Sequence, residues 1–209
     1  MTLTNRSRTV LPALAATAAL ALACAPSLED EFPFDGALPP GERITHEDLG
    51  NGVTKTRVDA SAKEAWVYYD MDSTRELSVD EAFDTNAWDL AFQRFKIITN
   101  SGVNGTSEMG TAVLEGADFD QLSAPPESGY LQDQTDGPDG NSDVDSPFLV
   151  GDGWYAYSLT QHKLAPRDVV YVVRTAEARF VAMQMLGYYD DAGNAGHLSF
   201  RWKMLADSE

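Results

Sequence analysis

The sequence predicts an all-β fold: a single, mainly antiparallel β domain with little helix, ending in a three-stranded meander. Three observations predict it. Runs rich in Val, Tyr, Trp and Phe recur between turn signals, at residues 64–70, 88–98 and 169–175. In the last run, 196–204, Leu198, Phe200, Trp202 and Met204 alternate with His197, Ser199, Arg201 and Lys203, the period of a strand with one buried face. The links between the final three runs are of hairpin length, 176–178 and 190–194.

The elements follow in order. Arg6 and Arg8 form a positive n-region, and no acid precedes Glu29. Residues 10–23 are a short apolar stretch ending in Ala21-Leu22-Ala23, a small-residue cleavage site, so residues 1–23 read as a secretory signal peptide. The stretch is too short to span a bilayer, which takes about 20 residues. Cys24 follows it directly and is the only cysteine. At that position it resembles a bacterial lipobox, which implies lipidation of Cys24 and export to the outer membrane, on its periplasmic or cell-surface face. Residues 24–49, with Pro26, Pro33, Pro39 and Pro40 among acids, show no sustained periodicity and read as an extended tether. The domain is expected over 50–209. It opens on the turn Gly50-Asn51-Gly52 and the strand 53–60. A chain beginning at Asn51 is expected to fold.

Ser78 with Glu81 three residues on is a capping-box pattern, predicting a short helical turn over 78–83. Residues 88–98 read as one strand whose alternation blurs at Ile97-Ile98, and 100–110 as a loop. Asp133, Asp136, Asp139, Asp143 and Asp145 lie among Gly, Pro and Asn at 132–146. Counted from Asp139, the sixth and twelfth positions of a calcium loop hold Val144 and Val150, so the segment reads as a solvated acidic loop. Trp154 opens a strand to 159, followed by a turn carrying His162, then the runs 169–175, 179–189 and 196–204.

Composition excludes whole classes of function. The chain has 15 basic and 33 acidic side chains. Removing Arg6 and Arg8 with the signal peptide leaves 13 against 33, a net charge of −20. Nucleic-acid binding needs clustered Lys and Arg, so no nucleic-acid partner is expected. Contact with the membrane is expected through the lipid anchor alone. The chain holds no G-x-S-x-G, no H-E-x-x-H and no phosphate-binding glycine loop. With the one cysteine at the lipidation site, no thiol nucleophile remains, and no enzyme activity is expected.

Three histidines remain. His46 falls in the tether and His197 on the polar face of the last run, both in surface settings. His162 lies between the aromatic run Trp154-Tyr155-Ala156-Tyr157 and Pro166, and a histidine on such a turn is ordinarily structural. Met183 and Met185 alternate within a strand run and read as core.

Trp88-Asp89-Leu90-Ala91-Phe92-Gln93-Arg94-Phe95, running into Thr99-Asn100-Ser101-Gly102, resembles the first block of the HmuY family of haem-binding bacterial lipoproteins. Trp154-Tyr155-Ala156-Tyr157 with His162 and Pro166, then Val170-Tyr171-Val172-Val173-Arg174-Thr175, resembles its second block, and Phe200-Arg201 its usual end. The resemblance spans roughly residues 66–204. It implies an all-β fold, a lipid anchor and one haem as bound ligand. Members hold the iron from two sides with histidine or methionine. His162 is the implied axial ligand and Met109 the candidate for the second side, with no metal other than the haem iron. Trp154, Tyr155 and Tyr157 are expected to line the haem slot. Arg94, Lys96 and Arg174 are expected near the propionates, and a TonB-dependent outer-membrane receptor to be the protein partner. The alternative is a lipoprotein on the same scaffold that binds a protein, a glycan or another small ligand.

Overall fold

The computed structural model of the chain describes residues 38–135 and 145–206. The expectations for the signal peptide, Cys24, most of the tether, and Asp136, Asp139 and Asp143 lie outside those residues. Twelve strands and one helix are described: β1 (Ile44–Gly50), β2 (Val53–Asp59), β3 (Val67–Asp70), β4 (Arg75–Leu77), α1 (Val79–Thr85), β5 (Leu90–Gln93), β6 (Lys96–Thr99), β7 (Gly110–Glu115), β8 (Tyr155–Ser158), β9 (Lys163–Pro166), β10 (Val169–Arg174), β11 (Phe180–Tyr189) and β12 (Ala195–Met204). No helix among the described residues is long and apolar enough to cross a membrane.

Every pairing between named strands is antiparallel. A six-stranded sheet runs β1-β2-β12-β11-β10-β7, a four-stranded sheet β4-β3-β5-β6, and β8-β9 form a separate hairpin. The expected meander is its β10-β11-β12 part. The two larger sheets share one core, in which Tyr69, Leu90 and Phe92 meet Tyr171, Met183, Leu198 and Phe200. Phe92 and Phe200 stack across it, with centroids 5.8 Å apart. The outer face of the six-stranded sheet carries a second cluster with Phe119, Val170 and Val172. Both faces of β10 are therefore buried, which is why its sequence is an unbroken apolar run. The outer face of the four-stranded sheet is covered by Tyr68, Leu77, Ala82 and Trp88 beside α1. That helix has the capping box expected of Ser78 and Glu81.

Four expectations are corrected. The tether does not extend to residue 49: Ile44–Gly50 is strand β1, and Gly50-Asn51-Gly52 is the turn of a β1-β2 hairpin. The chain just before β1 is also fixed, because Arg43 is buried against Glu76 of β4 (2.6 Å) and the Leu38 amide donates to Asp59 (2.8 Å). Second, residues 88–98 are not one strand. Arg94-Phe95 makes a two-residue turn between β5 and β6, with Gln93 paired to Lys96, and that turn breaks the alternation. Third, Lys163–Pro166, expected within a turn, is strand β9. Fourth, Asp133 is buried, not solvated. Its carboxylate accepts from the Thr99 amide and hydroxyl (both 2.8 Å) and from Asn104 (2.6 Å).

The sheets are tied by buried polar groups at one end. Asp89, fully buried, accepts from the Met71 amide (2.8 Å) and the Ala176 amide (2.7 Å), joining the β3-β4 turn to the β10-β11 turn. Arg179 adds an ion pair to Asp72 at the same junction (2.6 Å). Desolvation raises the Asp89 pKa to about 7 against the two amide bonds, with Asp72 and Asp70 adding to the rise.

Candidate functional site

The hairpin β8-β9 carries the only sequence-expected ligand that is solvent-accessible in an aromatic setting. Tyr155 pairs with Pro166 and Tyr157 with Leu164, so these four side chains share one face of the hairpin. That face packs on the end of β11. The Leu164 amide donates to the Tyr189 hydroxyl (3.0 Å), and the Lys163 ammonium lies over the Tyr189 ring, 5.5 Å from its centroid. Tyr155 packs edge-on against Phe95 (5.6 Å) and Trp154 (5.1 Å). Trp154 itself is fully buried, its indole N–H donating to the Phe95 carbonyl (2.9 Å), so it anchors the hairpin from below and lines no open slot.

Residues 159–162 close the hairpin. The His162 amide donates to the Ser158 carbonyl (2.8 Å), and His162 takes a left-handed φ of 52°, a conformation in which histidine is enriched. This turn exposes Leu159 (79%) and half-exposes Tyr157 (51%). The His162 ring is exposed, and its Nδ1 is 3.0 Å from the Tyr157 hydroxyl. Its Nε2 has no hydrogen-bond partner among the described residues. The arrangement is an accessible imidazole at the tip of an aromatic wall made by Tyr155, Tyr157, Phe95 and Tyr189, with Lys163 alongside. It can supply one nitrogen ligand to a metal centre, apolar area to a flat ligand and a cation to an anionic substituent.

The structure divides the expected site residues between two ends of the six-stranded sheet. Met109 precedes Gly110, which pairs with Arg174, which in turn pairs with Phe180. The hairpin meets Tyr189, at the other end of β11 from Phe180. Ten residues of strand span roughly 30 Å. Two ligands on one iron must bring their donor atoms within about 5 Å of each other, given metal–ligand bonds of about 2 Å. Met109 is also 1% exposed, packed in the shared core. The structure therefore does not bring Met109 together with His162. Arg174 stands at the Met109 end too and faces away from the role expected for it. Its charge acts on the Tyr130 phenol, whose pKa burial raises and Arg174 lowers.

Arg94 is at the right end but is committed to the fold. It is held at φ 54°, and its guanidinium donates to the Ser61 carbonyl (3.0 Å) and the Ala195 carbonyl (3.2 Å). Gly196 permits this approach: a Cβ there would lie 2.8 Å from the guanidinium and from Ser61 Cα. Arg94 also opposes the upward shift that burial gives the Tyr188 phenol. Lys96 opens β6 directly after Phe95, whose ring packs on Tyr155.

Sequence reasoning did not find Phe95, Lys163, Leu164, Tyr188 or Tyr189 as site residues. The adjacent tyrosines at the end of a strand run were the available signal, since tyrosine is enriched at contact surfaces, with an apolar body and a polar tip.

The other two histidines lie at the surface, His46 exposed and His197 partly exposed. His46 lies on β1 with both ring nitrogens engaged, to the Thr56 hydroxyl (2.9 Å) and the Thr74 carbonyl (3.0 Å), and tilts against Tyr69. Desolvation lowers its pKa, opposed by the Thr74 bond. His197 sits between Asp59 (3.7 Å) and Asp190 (3.9 Å) beside a small cleft of about 120 Å³ that Tyr189 also lines. Neither ring is presented as His162 is.

The family model of the HmuY protein matches residues 62–202. This chain belongs to the HmuY family. Its fold agrees with solved structures at low identity. The HmuY analog of Tannerella forsythia, in its apo form, is 15% identical, with 80% of this chain and 100% of that one covered at a TM-score of 0.56. A Bacteroides vulgatus protein proposed to be a HmuY-like haem-binding protein is 18% identical, covering 79% and 97% at 0.52. A Bacteroides fragilis protein proposed to be a lipoprotein is 17% identical, covering 76% and 94% at 0.53. No curated protein matches the chain by sequence.

Proposed function

We propose that this HmuY-family chain is a haem-binding lipoprotein of the cell envelope, exported, lipid-anchored through Cys24 and acting as a haem scavenger or carrier without catalysis. The observation that carries the reading is the accessible His162 imidazole on an aromatic hairpin, within a fold whose solved relatives include a protein proposed to bind haem. The donor chemistry fits haem on one side. Neutral imidazole is an accepted axial ligand of haem iron. Tyr155, Tyr157 and Phe95 offer apolar area to a porphyrin face, and Lys163 and Lys96 offer cations to its carboxylates. Bound haem would supply the iron and its colour; the chain would bind it, orient it and hand it on, with an outer-membrane receptor of the TonB-dependent kind as the recipient.

A second reading has its own observation. A groove of about 360 Å³ beside α1 is lined by Phe83, Trp88, Val103, Asn86, Asn100 and Asn104. Apolar walls with a few amides suit a small polar ligand such as a glycan. Titration with haemin separates the two. Haem binding predicts a sharp Soret band saturating at one equivalent. Broad, non-saturating absorbance would leave the amide-lined groove as the functional surface.

A further inference from the structure

We propose that this chain holds haem iron from one side only, through His162, and leaves the opposite axial position as a binding site for a small exogenous donor such as imidazole or cyanide. The proposal rests on the haem reading above. It departs from the two-sided hold that the family resemblance implies.

Proteins hold haem iron through histidine, methionine, cysteine or tyrosine. Outside the described residues the chain has no histidine or tyrosine, and its sulfur groups there are Met1, in the signal stretch, and Cys24, the proposed lipidation site. A second ligand would therefore come from the described residues, and each class is accounted for. Every described methionine except Met204 is at most 3% exposed and packed in the shared core. Met204 pairs with Val181, at the far end of β11 from the hairpin. His46 has both ring nitrogens engaged, by Thr56 and Thr74. His197 stands at the hairpin end, but a carboxylate faces each of its nitrogens, Asp59 at 3.7 Å and Asp190 at 3.9 Å.

The tyrosines offer no opposite ligand either. Donors on opposite sides of one iron stand about 4 Å apart with the metal between them, given bonds of about 2 Å. The Tyr157 hydroxyl is 3.0 Å from the His162 ring, too close to face it across a metal. Tyr155 packs between Phe95 and Trp154, and the Tyr189 hydroxyl accepts from the Leu164 amide. Tyr68, Tyr69, Tyr171 and Tyr188 are buried, and Tyr130 packs on Phe180 at the far end. Residues 159–163 at the hairpin tip are all exposed, so nothing among the described residues closes the other side of an iron bound there. A one-sided hold leaves a single bond between protein and iron to break at hand-over.

The test is electron paramagnetic resonance and visible absorbance of the haemin-loaded mature protein, before and after imidazole is added, with gel filtration to locate the haem. Ferric haem with one histidine is high-spin, and a second strong donor makes it low-spin. The expected result is a high-spin signal in the wild type that imidazole converts saturably to low-spin, with the haem still eluting with the protein. The high-spin signal should persist in His197→Ala and Met109→Ala and be lost in His162→Ala. A low-spin signal before imidazole, unaltered by it, would overturn the proposal alone, and its loss in one of the first two variants would name the second ligand. Failure of the wild type to take up haemin would end the haem reading and the proposal with it.

Discussion

Replacing Arg43 by alanine should destabilise the protein by about 3–5 kcal/mol, because it strands a buried carboxylate. Arg43 precedes β1, in the segment that looks like tether in the sequence. Its guanidinium meets Glu76 through Nε (2.8 Å) and Nη2 (2.6 Å), and its backbone amide donates to the other carboxylate oxygen (3.0 Å). The two side chains are 7% and 3% exposed. An exposed pair would contribute under about 1 kcal/mol, but here water cannot take over the solvation of Glu76. Against a typical domain stability of 5–15 kcal/mol, the loss is large enough to move a urea midpoint clearly. Replacing both residues by apolar ones, Arg43→Met with Glu76→Leu, should recover most of it, since no charge is then left buried. Urea unfolding of the two single variants and the double variant isolates the coupling. A loss below 1 kcal/mol in Arg43→Ala would show that residues ahead of β1 are not part of the folded unit. The same reasoning reverses the expectation that a chain starting at Asn51 folds, because that chain lacks β1 and Arg43 and leaves the β2 edge bare.

Three further outcomes follow from particular residues. Asp89 has its pKa raised from 3.8 to about 7 in the folded state, so the folded protein holds a proton that the unfolded chain has released across that interval. Stability should therefore fall as pH rises from about 4 to about 7, by an amount of the order of 4 kcal/mol, and be flat in this respect outside that window. Asp89→Asn should abolish this dependence in thermal melts taken across the window; an unchanged slope would show that another group titrates there. Gly102→Ala should destabilise by about 2 kcal/mol or more, because Gly102 sits at φ 59° and a Cβ would run into the Asp133 carbonyl oxygen, and a variant with the wild-type melting temperature would contradict this. Cys24→Ser should abolish metabolic incorporation of a fatty-acid analogue, and label retained in the serine protein would end the lipid-anchor proposal.

Where a strand buries one face or both, the sequence says so, and β10, β11 and β12 were legible for that reason. Val169, Tyr171 and Val173 reach the shared core while Val170 and Val172 reach the outer cluster. The helix was legible from its cap, because Ser78 and Glu81 act through local geometry alone. β1 was not. Its residues Thr45, His46, Glu47, Asp48 and Leu49 are exposed on an edge strand, so neither face leaves an apolar period. The β5-β6 turn was hidden for a different reason. It has no Gly or Asn, and Arg94 adopts a left-handed φ that its own bonds to Ser61 and Ala195 sustain. β9 ends in a proline and is mostly exposed, which reads as loop. The proximity of His162 to Tyr155 and Tyr157 was readable because they lie within eight residues of one another on a hairpin. The separation of Met109 from His162 was not readable, because proximity across a sheet depends on strand order and register. The family blocks do not encode which end of β10 a neighbouring loop reaches.

The central claim is that His162 is the group through which this chain takes up haem. Its most direct test is haemin titration of His162→Ala beside the wild type, followed by the Soret band. The account predicts that the alanine protein folds normally, that its affinity falls at least tenfold, and that its Soret maximum shifts. His46→Ala, His197→Ala and Met109→Ala should retain the wild-type band position. An alanine variant at His162 that titrates like the wild type would contradict the claim.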